Sequence, residues 1–324
     1  MKKKRVPRIV FLDAGSLDWG DLSFSELEKL GSLKVYSKTP AGKIAARSRE
    51  RDIVITNKCR FTGEILGRLK RLQLLCIAAT GTNNVDLEAA RRLGIAVANV
   101  SGYSTETVVQ FSFSFLLALA CNLISYDRSS HDGSWSKSPF FTLPVFPIRE
   151  IHGKTLGIVG HGRIGKRVAE VAKAFGMKVL LAKIPGKIYS GKEKTKRVSF
   201  DSFLRQSDFV TLHAPLSPLT ENLMDEKAFR KMKRGALLIN MARGGLVNER
   251  ALYAALKSGH LAGAAADVLS EEPPPKNHIL LKAPNFLLTP HVAWASREAR
   301  TRLVQEMALN IRAFRRSKKR NRVV

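Results

Sequence analysis

A chain of 324 residues is long for one hydrophobic core, so two domains are expected, and 44% hydrophobic residues suffice to fill both. Cys59, Cys76 and Cys121 share no metal-like spacing and are odd in number, which argues against a metal site or a disulfide framework and for a reducing, cytoplasmic setting. The formal net charge of +28 raises nucleic acid as a partner, but the cationic clusters at 2–5, 187–197 and 312–322 are not interleaved with aromatics, and no zinc-finger or RNP-like pattern occurs; no specific nucleic-acid partner is expected.

The basic start, MKKKRVPRIVFLDAG, lacks the long apolar region of a signal peptide. Short β-branched runs then recur at RIVFL (8–12), KVYS (34–37), DIVIT (52–56), LLCIA (74–78) and IAVANV (95–100), and read as buried parallel strands. Helical spacing lies between them, as over Phe24–Leu30 and Leu87–Leu93. Residues 104–124 predict one long, mostly apolar helix, whose stretch from Phe111 to Ile124 is too short and too interrupted by serine to span a bilayer; no membrane partner is expected. The connection SWSKSPFFTLPVFPIRE (134–150) cannot be regular throughout.

A second alternating series starts at Thr155: TLGIVG, MKVLLA, DFVTLH, GALLIN, GAAADV and NFLLTPH. The fold class is therefore α/β, with two doubly wound parallel-sheet domains. The last helix, Ser296–Arg316, carries Leu303, Val304, Met307 and Ile311 on one face after the second sheet has ended. That face needs a partner, which predicts a return to the first domain. The expected division is 1–100 and 291–324 for one domain and 101–290 for the other. From Ser317 the basic tail is expected to fray.

Gly160-His161-Gly162-Arg163-Ile164-Gly165 matches GxGxxG between a strand and a helix, the context in which glycines let the backbone approach a pyrophosphate at the helix N-terminus. The helix beyond carries Ile164, Val168, Val171, Ala172 and Phe175 on one face. About 20 residues on, where an acid would bind the ribose hydroxyls of NAD, stands Lys183, with Lys187 near enough to assist. A base there suits a 2′-phosphate, so NADP(H) is expected to be used at least as well as NAD(H).

Three polar residues follow later strands of this series: Arg243 after GALLIN, Glu272 after GAAAD and His291 after NFLLT. Ligands of open α/β sheets bind beyond the carboxyl ends of the strands, so all three suit one crevice. Hydride reduction of a carbonyl needs a proton donor, which histidine supplies near neutral pH, and a carboxylate beside it to orient the ring. Arginine grips a substrate carboxylate through two parallel hydrogen bonds.

With ATGTNNVD (79–86), GxGxxG (160–165), HAPLSPLTENLM (213–224), INMARGGLVNE (239–249), DVLSEEP (267–273) and TPHVAWAS (289–296), nearly the whole chain resembles the D-2-hydroxyacid dehydrogenase family. Within it TNK (56–58), ATGTNNVD, WSKSPFF (135–141) and PHVAWAS most resemble glycerate dehydrogenases, also called hydroxypyruvate reductases. The resemblance implies a Rossmann-type cofactor domain inserted in a flavodoxin-like substrate domain, and reduction of hydroxypyruvate and glyoxylate to D-glycerate and glycolate. It makes Arg243, Glu272 and His291 catalytic, and Lys58, Thr80, Gly81 and Arg243 substrate-binding. Cofactor contacts fall on Thr107, Gly160, Gly162, Arg163, Ile164, Gly165, Lys183, His213, Pro215, Met241, Ala242, Asp267 and His291, with Asp267 holding the nicotinamide carboxamide. It also implies a homodimer through the cofactor domain, the long helix and connection forming the arm, with Phe140 or Phe141 approaching the partner's site. Lys183 in place of the usual acid departs from the pattern, as does Asn248 in place of the commoner Asp, read as a surface change. Two alternatives stay open: another small 2-keto acid, such as a phosphoglycerate or pyruvate-type acid, and a dinucleotide-sensing binding or corepressor-like protein.

Overall fold

The computed structural model describes residues 5–189 and 195–324. It divides into two compact units, one made of the chain up to Ser104 together with Trp294–Val324, the other of Thr105–Ala293.

The first unit is built on strands β1 (Arg8–Phe11), β2 (Ser32–Val35), β3 (Ile53–Thr56), β4 (Leu74–Ile77) and β5 (Ala96–Ala98), all parallel and in the order β2-β1-β3-β4-β5. Its early helices are short: α1 (Ser25–Glu28), α2 (Ile44–Ser48), α3 (Gly63–Gly67) and α4 (Leu87–Arg92). The central strands β3 and β4 are buried along their whole length, which is why they read as unbroken apolar runs rather than as an alternation. Chain reversal between β1 and β3 marks this sheet's switch point, so the carboxyl ends of those strands are where a ligand crevice is expected.

The second unit carries β6 (Thr155–Val159), β7 (Lys178–Leu181), β8 (Phe209–Leu212), β9 (Leu237–Asn240), β10 (Gly263–Ala266) and β11 (Phe286–Leu288), again all parallel, in the order β11-β10-β9-β8-β6-β7. Its helices are α5 (Thr105–Ala120), α6 (Leu123–His131), α7 (Arg163–Ala174), α8 (Phe200–Gln206), α9 (Glu226–Lys231) and α10 (Glu249–Lys257). Here the reversal falls between β6 and β8, and a parallel bridge from Ala182 to Val198 on the outer side of β7 stands in for the third strand of the Rossmann order.

The last helix, α11 (Arg297–Arg315), is capped by Ser296, whose side chain accepts from Ala299 N. Leu303, Val304, Met307 and Ile311 are buried in one cluster with Ile9, Phe11 and Leu27, which satisfies the apolar face left over by the second series. Buried Arg300 anchors the helix by a bidentate pair with Asp21 at 2.6 and 2.7 Å and a bond to Leu17 O. That guanidinium holds the Asp21 carboxyl down to about 2.

Two expectations need correction. The single helix over 104–124 is two, because Asn122 adopts φ 50 and bends the chain by 61° between α5 and α6. Asn122 Nδ2 donates to Pro147 O at 2.6 Å and the Tyr126 hydroxyl donates to Phe146 O at 2.6 Å, so the bend holds the connection beneath it. The basic tail does not fray: Arg322 bridges antiparallel to Ala98, Val323 N donates to Val97 O at 2.9 Å, and Arg320 clasps Glu306 at 2.9 and 2.7 Å. An exposed edge at β5 gives the tail backbone partners that composition does not reveal. Among the described residues no single helix is long and apolar enough to cross a membrane.

Candidate active site

β6 ends at Val159 and α7 begins at Arg163, so the fingerprint occupies the turn between them. Its glycines answer separate demands. Gly160 has φ +93, and a Cβ on it would lie 2.6 Å from the His213 carbonyl carbon and the Ala214 nitrogen beyond β8. On Gly165 a Cβ would lie 2.0 Å from Gly160 O, so glycine alone lets the helix close on the strand. Gly162, the N-cap, has nothing within 4 Å of its Cβ direction. This leaves open space beside first-turn N–H groups that have no carbonyl partner inside the helix, where an anion is favoured. Arg163 and Ile164 are the first two helical residues.

His213 follows β8. Its Nε2 shares a hydrogen bond of 2.9 Å with Thr211 Oγ1, while Nδ1 is shut off from solvent with no partner among the described residues. Burial pushes the ring's pKa down to about 3, so it is neutral at physiological pH. A buried nitrogen left in this way invites a polar ligand or water. Pro215, exposed, follows it; Met241 and Ala242 are buried beyond β9, and Thr107 is buried in the first turn of α5, which packs on α7. The cradle at Gly162 and the unpartnered Nδ1 both fit a dinucleotide. A bound dinucleotide would lie against the fingerprint backbone and the segments following β8, β9 and β10.

Lys183 lies just beyond β7, exposed, its N–H donating to Val198 O at 2.8 Å. Around it Tyr189 accepts from Ile184 N at 2.8 Å, with Lys187 Nζ 5.4 Å and Arg197 Cζ 4.7 Å from its ring centroid. Arg197 belongs to the cationic cluster 187–197, and spacing alone does not place it beside Lys183; the parallel bridge between Ala182 and Val198 does.

Arg243, Glu272 and His291 follow the adjacent strands β9, β10 and β11. His291 Nδ1 meets Glu272 Oε2 at 2.6 Å. A carboxylate only accepts, so Nδ1 carries the hydrogen and Nε2 is the nitrogen that can exchange a proton with a substrate. Glu272 Oε1 accepts from Leu269 N at 3.0 Å, which fixes the carboxylate plane. His291 itself stands in the left-handed region at φ 53. Asp267 holds it there: its carboxylate accepts from Thr289 Oγ1 at 2.5 Å and from Val292 N and Ala293 N at 2.9 Å, and its carbonyl accepts from His291 N. Burial raises the Asp267 pKa.

The Arg243 side chain is exposed, with Nη1 donating to Ala242 O at 2.7 Å, and its loop is set by Asn240, which donates to Arg243 O and accepts from Ala242 N. The next residue, Gly244, packs its backbone on the Glu272 loop, since a Cβ would lie 1.9 Å from Leu269 C. Glu249 ties that loop to α10 by accepting from Ser270 N and Ser270 Oγ at 2.8 and 2.6 Å and pairing with His278 at 3.1 Å. It stands inside the arginine motif but carries no chemistry that spacing would pick out. Asn248 is half-buried and caps α10, accepting from Ala251 N at 3.0 Å, a task Asp performs equally, so the departure leaves the cap intact.

Lys58, Thr80 and Gly81 belong to the first unit, beyond the neighbouring strands β3 and β4. Buried Asp13 pins the Lys58 loop, accepting from Asn57 N at 2.9 Å, Lys58 N at 2.6 Å and Cys59 N at 3.1 Å. Asn84 Nδ2 donates to Asn57 O and Cys59 O, tying that loop to the Thr80 loop, and Thr80 Oγ1 donates to Val100 O. A lone Asp after a strand offers no pattern, so sequence reasoning misses it.

The family model described as D-isomer specific 2-hydroxyacid dehydrogenase, NAD binding domain, matches residues 113–293. The chain belongs to that dehydrogenase family. It is 40% identical over 310 residues to glycerate dehydrogenase of Methylorubrum extorquens, and 37% identical over 310 residues to hydroxypyruvate reductase of Blautia hydrogenotrophica. Each alignment covers 95% of this chain and 96% of the relative. Among solved structures it is similar to an acyclic imino acid reductase in complex with NADPH and D-Arg, with a TM-score of 0.86 and 29% identity over 98% of this chain and all of that one. The dehydrogenase thus takes a nicotinamide cofactor and acts on the CH–OH group of a small 2-hydroxy acid, or on the carbonyl of the matching keto acid.

Proposed function

We propose that this dehydrogenase reduces hydroxypyruvate to D-glycerate, and glyoxylate to glycolate. The observation that carries the chemistry is the His291–Glu272 pair at 2.6 Å, with the Arg243 loop packed beside it. The names of the relatives favour this substrate over a phosphoglycerate or a pyruvate-type acid. When bound, the nicotinamide supplies the hydride. His291 donates the proton that completes the new hydroxyl, and Glu272 keeps its ring in the donating orientation. Arg243 holds the substrate carboxylate and polarises the carbonyl. Lys58, Thr80 and Gly81 assist in binding the substrate, Asp267 takes the carboxamide end of the cofactor, and Thr107, His213, Pro215, Met241 and Ala242 complete the cofactor contacts. We assign the substrate role to the first unit and the cofactor role to the second.

NADPH is used at least as well as NADH, because Lys183, with Lys187 and Arg197 near it, suits a 2′-phosphate and stands where an acid would repel one. Steady-state reduction of a panel of keto acids with each cofactor tests both statements. Hydroxypyruvate ranks first by kcat/KM, and Lys183→Glu moves the NADPH to NADH ratio toward NADH by about tenfold or more. A phosphorylated or pyruvate-type acid in first place overturns the substrate, and an unchanged ratio overturns the role of Lys183.

The working form is a cytoplasmic homodimer through the cofactor unit. Leu123, Ile124, Trp135, Phe140, Phe141, Val145 and Ile148 are all exposed along α6 and the connection after it, Phe141 by 93%. Light scattering should return twice the chain mass of 35.9 kDa, and a monomer would contradict the arm.

A further inference from the structure

Hydride transfer accounts for little of the +28 net charge. In the first unit a cleft of about 580 Å³ opens at the amino ends of β1, β3 and β4, where Pro7, Asp52 with Ile53, and Gln73 begin the strands. The loops carrying Lys58 and Thr80 follow the carboxyl ends of the same sheet, so the cleft is separate from them. Five of its eleven described lining residues are Lys or Arg, namely Arg5, Arg315, Lys318, Lys319 and Arg322, against 55 of 324 in the whole chain. A general basic bias would put about two there, so the cleft is enriched beyond the background.

Four of the five cations are not neutralised from within. Arg5, Arg315, Lys318 and Lys319 take part in no ion pair among the described residues, and Arg322 alone meets a carboxylate oxygen, that of Val324. The single acid, Asp52, is already engaged, Oδ2 accepting from Arg8 N at 2.8 Å and Oδ1 from Arg71 at 3.2 Å. Nor is the wall loose. Arg315 donates to Leu30 O at 2.9 Å, and Arg322 is held by its bridge to Ala98 and by a bond from Nε to Val324 O at 2.5 Å. Phe314 lines the cleft with its ring centroid 6.0 Å from the Arg322 guanidinium, and Pro7 and Ile53 add apolar floor.

A volume of this size takes a small molecule rather than a protein segment. A single carboxylate engages one or two cations at most, whereas linked phosphates carry enough charge to meet the remaining ones as well. We propose that this cleft is a second ligand site, separate from the reduction chemistry, for a small anion carrying two or more phosphate groups.

The test is calorimetric titration of the whole enzyme with inorganic tripolyphosphate at physiological salt, with NADH saturating so that the cofactor's own phosphate site is filled. Three forms are compared: wild type, Lys318→Gln/Lys319→Gln and Lys318→Gln/Lys319→Gln/Arg322→Gln. A control of equal charge loss is Arg205→Gln/Lys227→Gln/Lys257→Gln in the second unit. The double variant spares Arg322 and with it the tail's attachment. One tripolyphosphate per chain is expected, weakened by about tenfold or more in both cleft variants and by less than about twofold in the control. Equal weakening in cleft and control variants, several equivalents bound per chain, or no binding would each overturn the proposal, the first two by showing general polyanion adhesion.

Discussion

His291→Asn should lower kcat for hydroxypyruvate by between about 10²- and 10⁴-fold while leaving the NADPH dissociation constant within about twofold of wild type. The substitution is chosen for the backbone as much as for the chemistry. His291 sits at φ 53, a conformation that Asn adopts readily and Ala does not. A fall in activity in the Asn variant therefore reports the lost proton donor rather than strain in the turn. Asp267 still receives Val292 N and Ala293 N, so the loop keeps its anchor. The amide of Asn can bond to Glu272 but cannot supply the proton that the new hydroxyl needs. Wild-type-like turnover would remove His291 from the mechanism.

The second large effect is expected at Arg243. Arg243→Ala should reduce kcat/KM for hydroxypyruvate by about 10²- to 10⁴-fold, the cost of leaving a carboxylate without its bidentate partner. Arg243→Lys should recover little of it, because a point charge does not reproduce two parallel N–H groups. The loop should survive both changes, since Asn240 sets its backbone through Arg243 O and Ala242 N, and Gly244 packs on Leu269 independently of the side chain. Added guanidinium should restore part of the Ala variant's rate. A Lys variant as active as wild type would mean that Arg243 supplies only general charge.

These expectations rest on parts of the molecule that differ in how openly the sequence declares them. The parallel strands are legible because burial on both faces demands runs such as IVIT and LLCI, which nothing on a protein surface imitates. The fingerprint is legible because Gly160 and Gly165 sit where a Cβ would strike backbone, so composition and geometry coincide. Arg243, Glu272 and His291 are legible because their strands are adjacent and parallel, which sends successive strand ends to one edge.

What escapes the sequence is mostly support across distance. Asp13 holds a loop more than forty residues away, and Glu249 holds Ser270 and His278 from the start of a helix; neither leaves a periodic trace. The break at Asn122 is hidden because apolar spacing continues through it, and the conformation is set by Pro147 and Phe146 across the turn. The tail reads as solvated charge, yet β5 offers it an edge and Glu306 a partner for Arg320. Local propensity yields in each case to a tertiary partner.

The central claim is that this site delivers a hydride and the His291 proton to the carbonyl of hydroxypyruvate with one handedness. The most direct measurement is a reaction of purified enzyme with NADPH and hydroxypyruvate in which cofactor consumed and glycerate formed are quantified together, the glycerate resolved by enantiomer. One D-glycerate is expected for each NADPH oxidised. L-glycerate, a racemic product, or cofactor binding without any glycerate would contradict it.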